Sequence, residues 1–180
     1  MATIQTIDAT IFASSHPDIA KRTSVSGVLI SSVMLLIGIL AFASTFELDD
    51  KSSTTSMALM VLGTGLFLMG IFRLFWKSKE VVYLPTKSVA KEHSVFFDLK
   101  HMDALKNLVN SGSFSADSKI KSEASGNIRM DVILSADKKF AAVQLFQFVP
   151  YTYQPITSVQ YFTNEEASAI VAFLSKSKIQ

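Results

Sequence analysis

The chain has 180 residues, with 17 Lys and Arg against 15 Asp and Glu and no cysteine. A near-neutral balance gives no footprint for a nucleic-acid polyanion, and the missing cysteine excludes disulfides, thiol catalysis, palmitoylation and a lipoprotein anchor. Hydrophobic residues make up 49% of the whole, but their excess is concentrated in residues 25–76.

The first segment, residues 1–22, is rich in Thr, Ile and Ala. Ile4, Ile7 and Ile11 recur at helical spacing, which suits a short helix lying on a membrane surface or a partly ordered cytoplasmic tail. Ser15, His16 and Pro17 read as a break before the next element.

Residues 23–80 carry the strongest signal. Two apolar runs, 25–46 and 57–76, are separated by the polar stretch ELDDKSSTTS. At 1.5 Å rise per residue they measure about 33 and about 30 Å, against roughly 30 Å for a bilayer core. Neither run holds an acidic residue, and Arg73 is their only basic one. The expectation is a transmembrane helical hairpin.

The flanking charges predict its orientation. Lys21 and Arg22 precede the first run, Arg73, Lys77 and Lys79 close the second, and the loop holds Glu47, Asp49 and Asp50 against Lys51. Basic flanks face the cytoplasm, so both termini are expected inside, in an integral protein of a bacterial cytoplasmic membrane. Arg73, Trp76, Lys77 and Lys79 are the membrane-interface candidates. Ala41-Phe42-Ala43 mimics a signal-cleavage site, but the long leader and long apolar core favour a retained helix.

Helices in lipid associate through small residues. Gly27, Ser31 and Gly38 share one stripe of the first run, and Gly63 and Gly70 share one of the second. These helix-packing candidates are expected to face each other, the alternative being a second copy or another membrane subunit. No Asp, Glu, His or Lys lies at mid-membrane depth, so an ion or proton path is not expected.

Residues 81–180 predict one small α+β domain, an antiparallel β-meander with two packing helices. Val81–Leu84 and Glu92–Phe97 read as strands. Asp98 reads as a cap for a helix with Leu99, Met102, Leu105, Leu108 and Val109 on one face, stopped by Gly112. A weak edge strand is expected at Lys119–Glu123. Ile128, Met130, Val132 and Leu134 alternate with Arg129, Asp131 and Ser135 as a strand with one buried face, which Ile133 breaks. Residues 140–149 form a central strand, PYTYQP at 150–155 an irregular connection, and residues 156–162 a last strand. Thr163 and Glu166 form a capping box for a final helix with Ala167, Ile170, Val171 and Leu174 inward. The order helix, three strands, helix is also that of double-stranded RNA-binding domains. Thr163-Asn164-Glu165-Glu166 would repel phosphate at the helix start where such domains grip it, so no nucleic-acid partner is expected.

The densest polar cluster is His93, Asp98, His101 and Asp103, whose spacing across a strand, a cap and two helix faces suits neither a metal nor acid–base catalysis. No phosphate-binding, metalloprotease or nucleophile-elbow motif occurs. No catalytic residue, cofactor or metal is expected, and the chain reads as a non-enzyme. Tyr151, Tyr153, Gln154 and Tyr161 are the partner-binding candidates, since Tyr supplies contact area at low entropic cost. The expected role is a membrane-anchored interaction or scaffold protein. Its expected partners are membrane lipids and a membrane protein or a second copy. The alternative is a tethered sensor or carrier of a lipid or small apolar ligand.

Overall fold

The computed structural model describes residues 6–14, 16–50, 52–115 and 120–177. Ile4, Ser15, Lys51 and Lys119 lie outside the described residues. The chain divides into two compact units, one of residues 21–80 and one joining residues up to 20 with those from 81 onward.

In the first unit, α2 (Val25–Glu47) and α3 (Thr54–Trp76) form an antiparallel pair, each 23 residues long. Ser24 caps α2 by accepting the Gly27 N–H, and Ser53 caps α3 by accepting that of Ser56. The second cap sets the start of α3 a few residues before its apolar run. Both helices are long and apolar enough to cross a membrane.

In the second unit, α1 (Ile7–Ser14) precedes a seven-stranded sheet. Its strands are β1 (Ile19–Thr23), β2 (Lys79–Tyr83), β3 (Ser88–Phe97), β4 (Ile128–Ser135), β5 (Phe140–Val149), β6 (Thr152–Pro155) and β7 (Gln160–Thr163). They follow in order from β1 to β6, while β7 also pairs with β5. The strand pairings from β2 onward are antiparallel, as between Phe97 and Ile128 or Asp131 and Gln144. β1 and β2 straddle the division between the units.

One sheet face packs on α4 (Met102–Ser111) and α5 (Glu165–Ser177), burying Phe97, Leu105, Ile128, Met130, Leu145 and Ile170. Asp98 caps a 3-10 turn at Leu99–His101 that leads into α4, accepting the Lys100 N–H at 2.8 Å. Gly112 ends α4 at φ 69, in the left-handed region that glycine enters without steric penalty.

The other face is covered as well, and here the structure corrects the sequence reading. Ile7 and Ile11 of α1 are fully buried with Ile19, Tyr83, Ile133, Phe140 and Phe146. The N-terminal segment is thus neither a surface-lying helix nor a loose tail. It supplies the second layer over the sheet. Ile133, the residue that breaks the alternation in β4, is apolar because its face is also interior.

Three further corrections concern the last third. PYTYQP is a hairpin rather than an irregular link: β6 pairs with β5 from Phe146↔Pro155 to Val149↔Thr152, with Tyr151 at φ 72 in the turn. Residues 156–162 are not one strand, because Ile156 to Val159 bulge out before β7, held by the Thr157 hydroxyl accepting the Leu145 N–H. Thr163 stays in β7 and Asn164 turns at φ 50, so α5 begins at Glu165 without the expected box start. Of the weak strand before β4, an isolated bridge between Phe96 and Glu123 is present.

Candidate functional site

The face beneath α1 holds a buried polar group. Arg129 and Asp131 sit two apart on β4, so both project to the same side. Their side chains meet at 3.0 Å with Asp131 1% exposed. Ser94 on β3 donates to the Asp131 carboxylate at 2.7 Å, and the Ile7 backbone at the start of α1 helps to lower the carboxyl's pKa. Asp131 therefore lies on β4 beneath the start of α1, which packs on that strand.

The Arg129 guanidinium lies 4.7 Å from the Phe146 ring centre and 4.6 Å from that of Tyr153, between two aromatic rings. Burial raises the Asp131 pKa, opposed by Ser94 and Arg129. Burial also raises that of Glu92 on β3, helped by the charges of Asp131 and Asp8 and opposed by Arg129. The sequence reading took Arg129 and Asp131 for a solvent-facing side. A usable signal lay on the partner strand: Gln144, opposite Asp131, is the one polar residue in the run Phe140–Phe146, and it too is buried.

Beside this group, a shallow groove of about 360 Å³ is lined by Asp98, Glu123, Ser125, Gly126, Phe148 and Tyr153. It runs along the β5–β6 hairpin. The four partner-binding candidates separate here. Tyr151 is 97% exposed at the turn, and Gln154 is exposed on β6, the terminal strand of the main sheet path. Tyr153 is fixed from within, its hydroxyl donating to the Gly126 carbonyl at 2.8 Å. Tyr161 meets His16 in a tilted ring contact at 4.1 Å and packs against the core under α1. Phe148, of the aromatic residues around PYTYQP, joins Tyr151 as an exposed aromatic.

The polar cluster of the sequence is dispersed. His93 lies on β3, Asp98 serves as a cap, and His101 and Asp103 stand at the start of α4. Among the described residues, no three His, Asp or Glu side chains are placed to hold a metal ion.

In the helix pair, Gly27, Ser31 and Gly38 face inward on α2, and Gly63 and Gly70 face inward on α3. A Cβ on Gly38 would come within 2.7 Å of the Phe67 nitrogen, and one on Gly63 within 2.8 Å of the Phe42 nitrogen. Backbone thus packs on backbone. The inward Ser31 hydroxyl is satisfied within its own helix, donating to the Gly27 carbonyl at 2.8 Å. Arg73, Trp76, Lys77 and Lys79 all fall at the end of this pair away from the acidic loop, and Trp76 stacks on Phe72 at 5.5 Å.

Fold and site together define an α+β protein that carries a two-helix apolar hairpin. A family model described as a domain of unknown function (DUF8460) matches residues 20–81, about a third of the chain. That stretch coincides with the helix-pair unit at residues 21–80. No curated protein and no solved structure matches the chain.

Proposed function

We propose that the chain is an integral membrane protein whose helix pair holds the sheet unit at the cytoplasmic face of a bacterial inner membrane, where it acts as an interaction or scaffold module. The observation that carries this reading is the exposure of the helix pair. Large apolar side chains point outward along its whole length, as with Val61 at 72% and Leu36 at 60%. Water would penalise that surface at about 25 cal/mol per Å², whereas lipid accepts it.

Orientation is supported by Lys21, Arg22, Arg73, Lys77 and Lys79 at one end of the pair and by Glu47, Asp49 and Asp50 at the other. An interaction role is supported by the β5–β6 hairpin, which offers Tyr151, Phe148 and the open strand edge at Gln154 to a protein partner.

The test is made on membranes. Alkaline carbonate should leave the chain in the pellet and detergent should release it. A photo-crosslinking residue in place of Tyr151 should then give a discrete protein adduct in cells, absent when the same probe replaces the exposed Asn107 of α4. Recovery in the carbonate supernatant would overturn the membrane reading. Equal adducts at both positions would overturn the assignment of the interaction surface.

A further inference from the structure

We propose that the helix pair binds one phospholipid acyl chain, from the leaflet on its acidic-loop side, in a cleft between α2 and α3. This rests on the membrane reading above. The cleft measures about 380 Å³ and has an almost wholly apolar lining. Gly38 and Gly63 form its floor, where the missing side chains let the backbones meet. Its walls are Ile39, Phe42, Ala43, Phe46, Thr64 and Phe67. A peptide segment or a polar headgroup would leave its hydrogen-bonding groups unpaired against such walls, so the occupant is hydrocarbon.

Depth argues for a single leaflet. The cleft runs from Gly38, near the middle of α2, to Phe46, one residue before its end. Eight residues of helix span roughly 12 Å, and half a bilayer core is about 15 Å. One end of the cleft therefore lies near the mid-plane and the other at the interface beside the loop.

Charge argues for the lipid class. Glu47, Asp49 and Asp50 stand at that end and are exposed. They repel an anionic headgroup and attract one that carries an ammonium, as phosphatidylethanolamine does. A second copy of the hairpin fits less well. The small-residue stripes that would let another helix approach are already used within the pair, at Gly38 against Phe67 and Gly63 against Phe42. What remains open is the aromatic-walled cleft.

The experiment uses the full chain reconstituted in phosphatidylethanolamine vesicles doped with the same lipid bearing a diazirine in its acyl chain. After illumination, adducts are mapped by peptide mass spectrometry. They should concentrate on residues 39–46 and 64–67. Ala43→Trp fills the cleft and should lower the yield at least about five-fold, because the buried contact area that holds a ligand is lost. Leu62→Trp, at similar depth outside the cleft, should leave it unchanged. A phosphatidylglycerol probe should label less.

Adducts spread evenly over the outward faces would overturn the proposal, and so would an unchanged yield in Ala43→Trp. A copy-to-copy crosslink across the cleft would assign it to a dimer instead and overturn it as well. Should Ala43→Trp not fold, Ile39→Ala widens the cleft and should raise the yield, and no rise counts against the site. A chain that fails to float with the vesicles overturns the membrane reading itself, which the float step reports separately from the adduct map.

Discussion

The two units keep their shape by opposite rules. In the helix pair the buried positions are Gly27, Ser31, Gly38, Thr45, Ser56, Gly63 and Gly70, with no large apolar side chain among them. In the sheet unit the largest buried side chains are Phe97, Phe140, Phe146, Ile7 and Ile11. Hydrophobic burial drives the second arrangement, because each enclosed side chain leaves water. It cannot drive the first, where small residues are enclosed and Leu, Val and Phe are left outside. Backbone van der Waals contact does that work, and it competes well only where the surroundings are as apolar as the helices. That difference is what the proposed membrane setting of the helix pair would produce.

Substitutions in the sheet unit should break this comparison most strongly. Phe97→Ala removes a fully buried ring and should cost about 3–5 kcal/mol through lost transfer energy plus the cavity left behind. Asp131→Ala should cost a similar amount, about 3–5 kcal/mol, because it strands the Arg129 charge under α1. Hydrogen exchange on the full chain in detergent should show faster exchange in residues 81–177 for both variants, with 25–76 unchanged. Asp131→Ala alone should also loosen residues 7–14, since it leaves the Arg129 charge unpaired on the face that α1 covers.

Gly63→Leu is the complementary test. Its side chain would meet the Phe42 nitrogen and the Gly38 carbonyl, which are backbone and cannot swing aside. A loss of about 1–3 kcal/mol is expected from overpacking. The exchange pattern should invert, with α2 and α3 opening and the sheet protected. Trp76, the only tryptophan, reports the same change by fluorescence. If Gly63→Leu and Phe97→Ala loosened the whole chain equally, the two units would not be separate.

The smallest expected effect is on pH dependence. Burial raises the pKa of both Glu92 and Asp131 from their ordinary values. Between those values, near about 4, and their folded values, the native state holds more protons than the unfolded one. The contribution of this pair is therefore fully present below the unfolded values and is lost as pH rises through the folded ones. Glu92→Gln should flatten the trend and raise stability at neutral pH by only a few tenths of a kcal/mol, because Glu92 is still solvent-exposed and screened. Urea midpoints of the two proteins at acidic and neutral pH check this.

Much of the architecture was legible from residues alone. The apolar runs are visible because helices long and apolar enough to cross a membrane need long uninterrupted stretches. Their glycine stripes are visible because helical spacing puts them on one side. α4 is visible from Asp98, its apolar face and Gly112. The hidden parts share one cause, which is that periodicity reports polarity and not coverage. Arg129 and Asp131 alternate like a wet strand face, and only the ion pair and α1 make them interior. Ile7 and Ile11 lack a cue that names the sheet as their partner across more than 100 residues of chain. PYTYQP looked irregular because proline is rare inside sheets, yet Pro155 sits on an edge strand where it is tolerated. The candidate site was half legible: the tyrosines drew attention to the β5–β6 hairpin, while the packing contacts that Tyr153 and Tyr161 also make had no signal in the sequence.

Orientation of the helix pair in a membrane is the claim on which the rest depends. The natural chain has no cysteine, so single substitutions report cleanly. Asp49→Cys places a thiol in the exposed loop between the helices, and Ser175→Cys places one on the exposed side of α5. In intact cells a membrane-impermeant maleimide should label the first, and should reach the second only after the membrane is permeabilised. Labelling of the α5 thiol in intact cells, or equal labelling of both, would contradict the account.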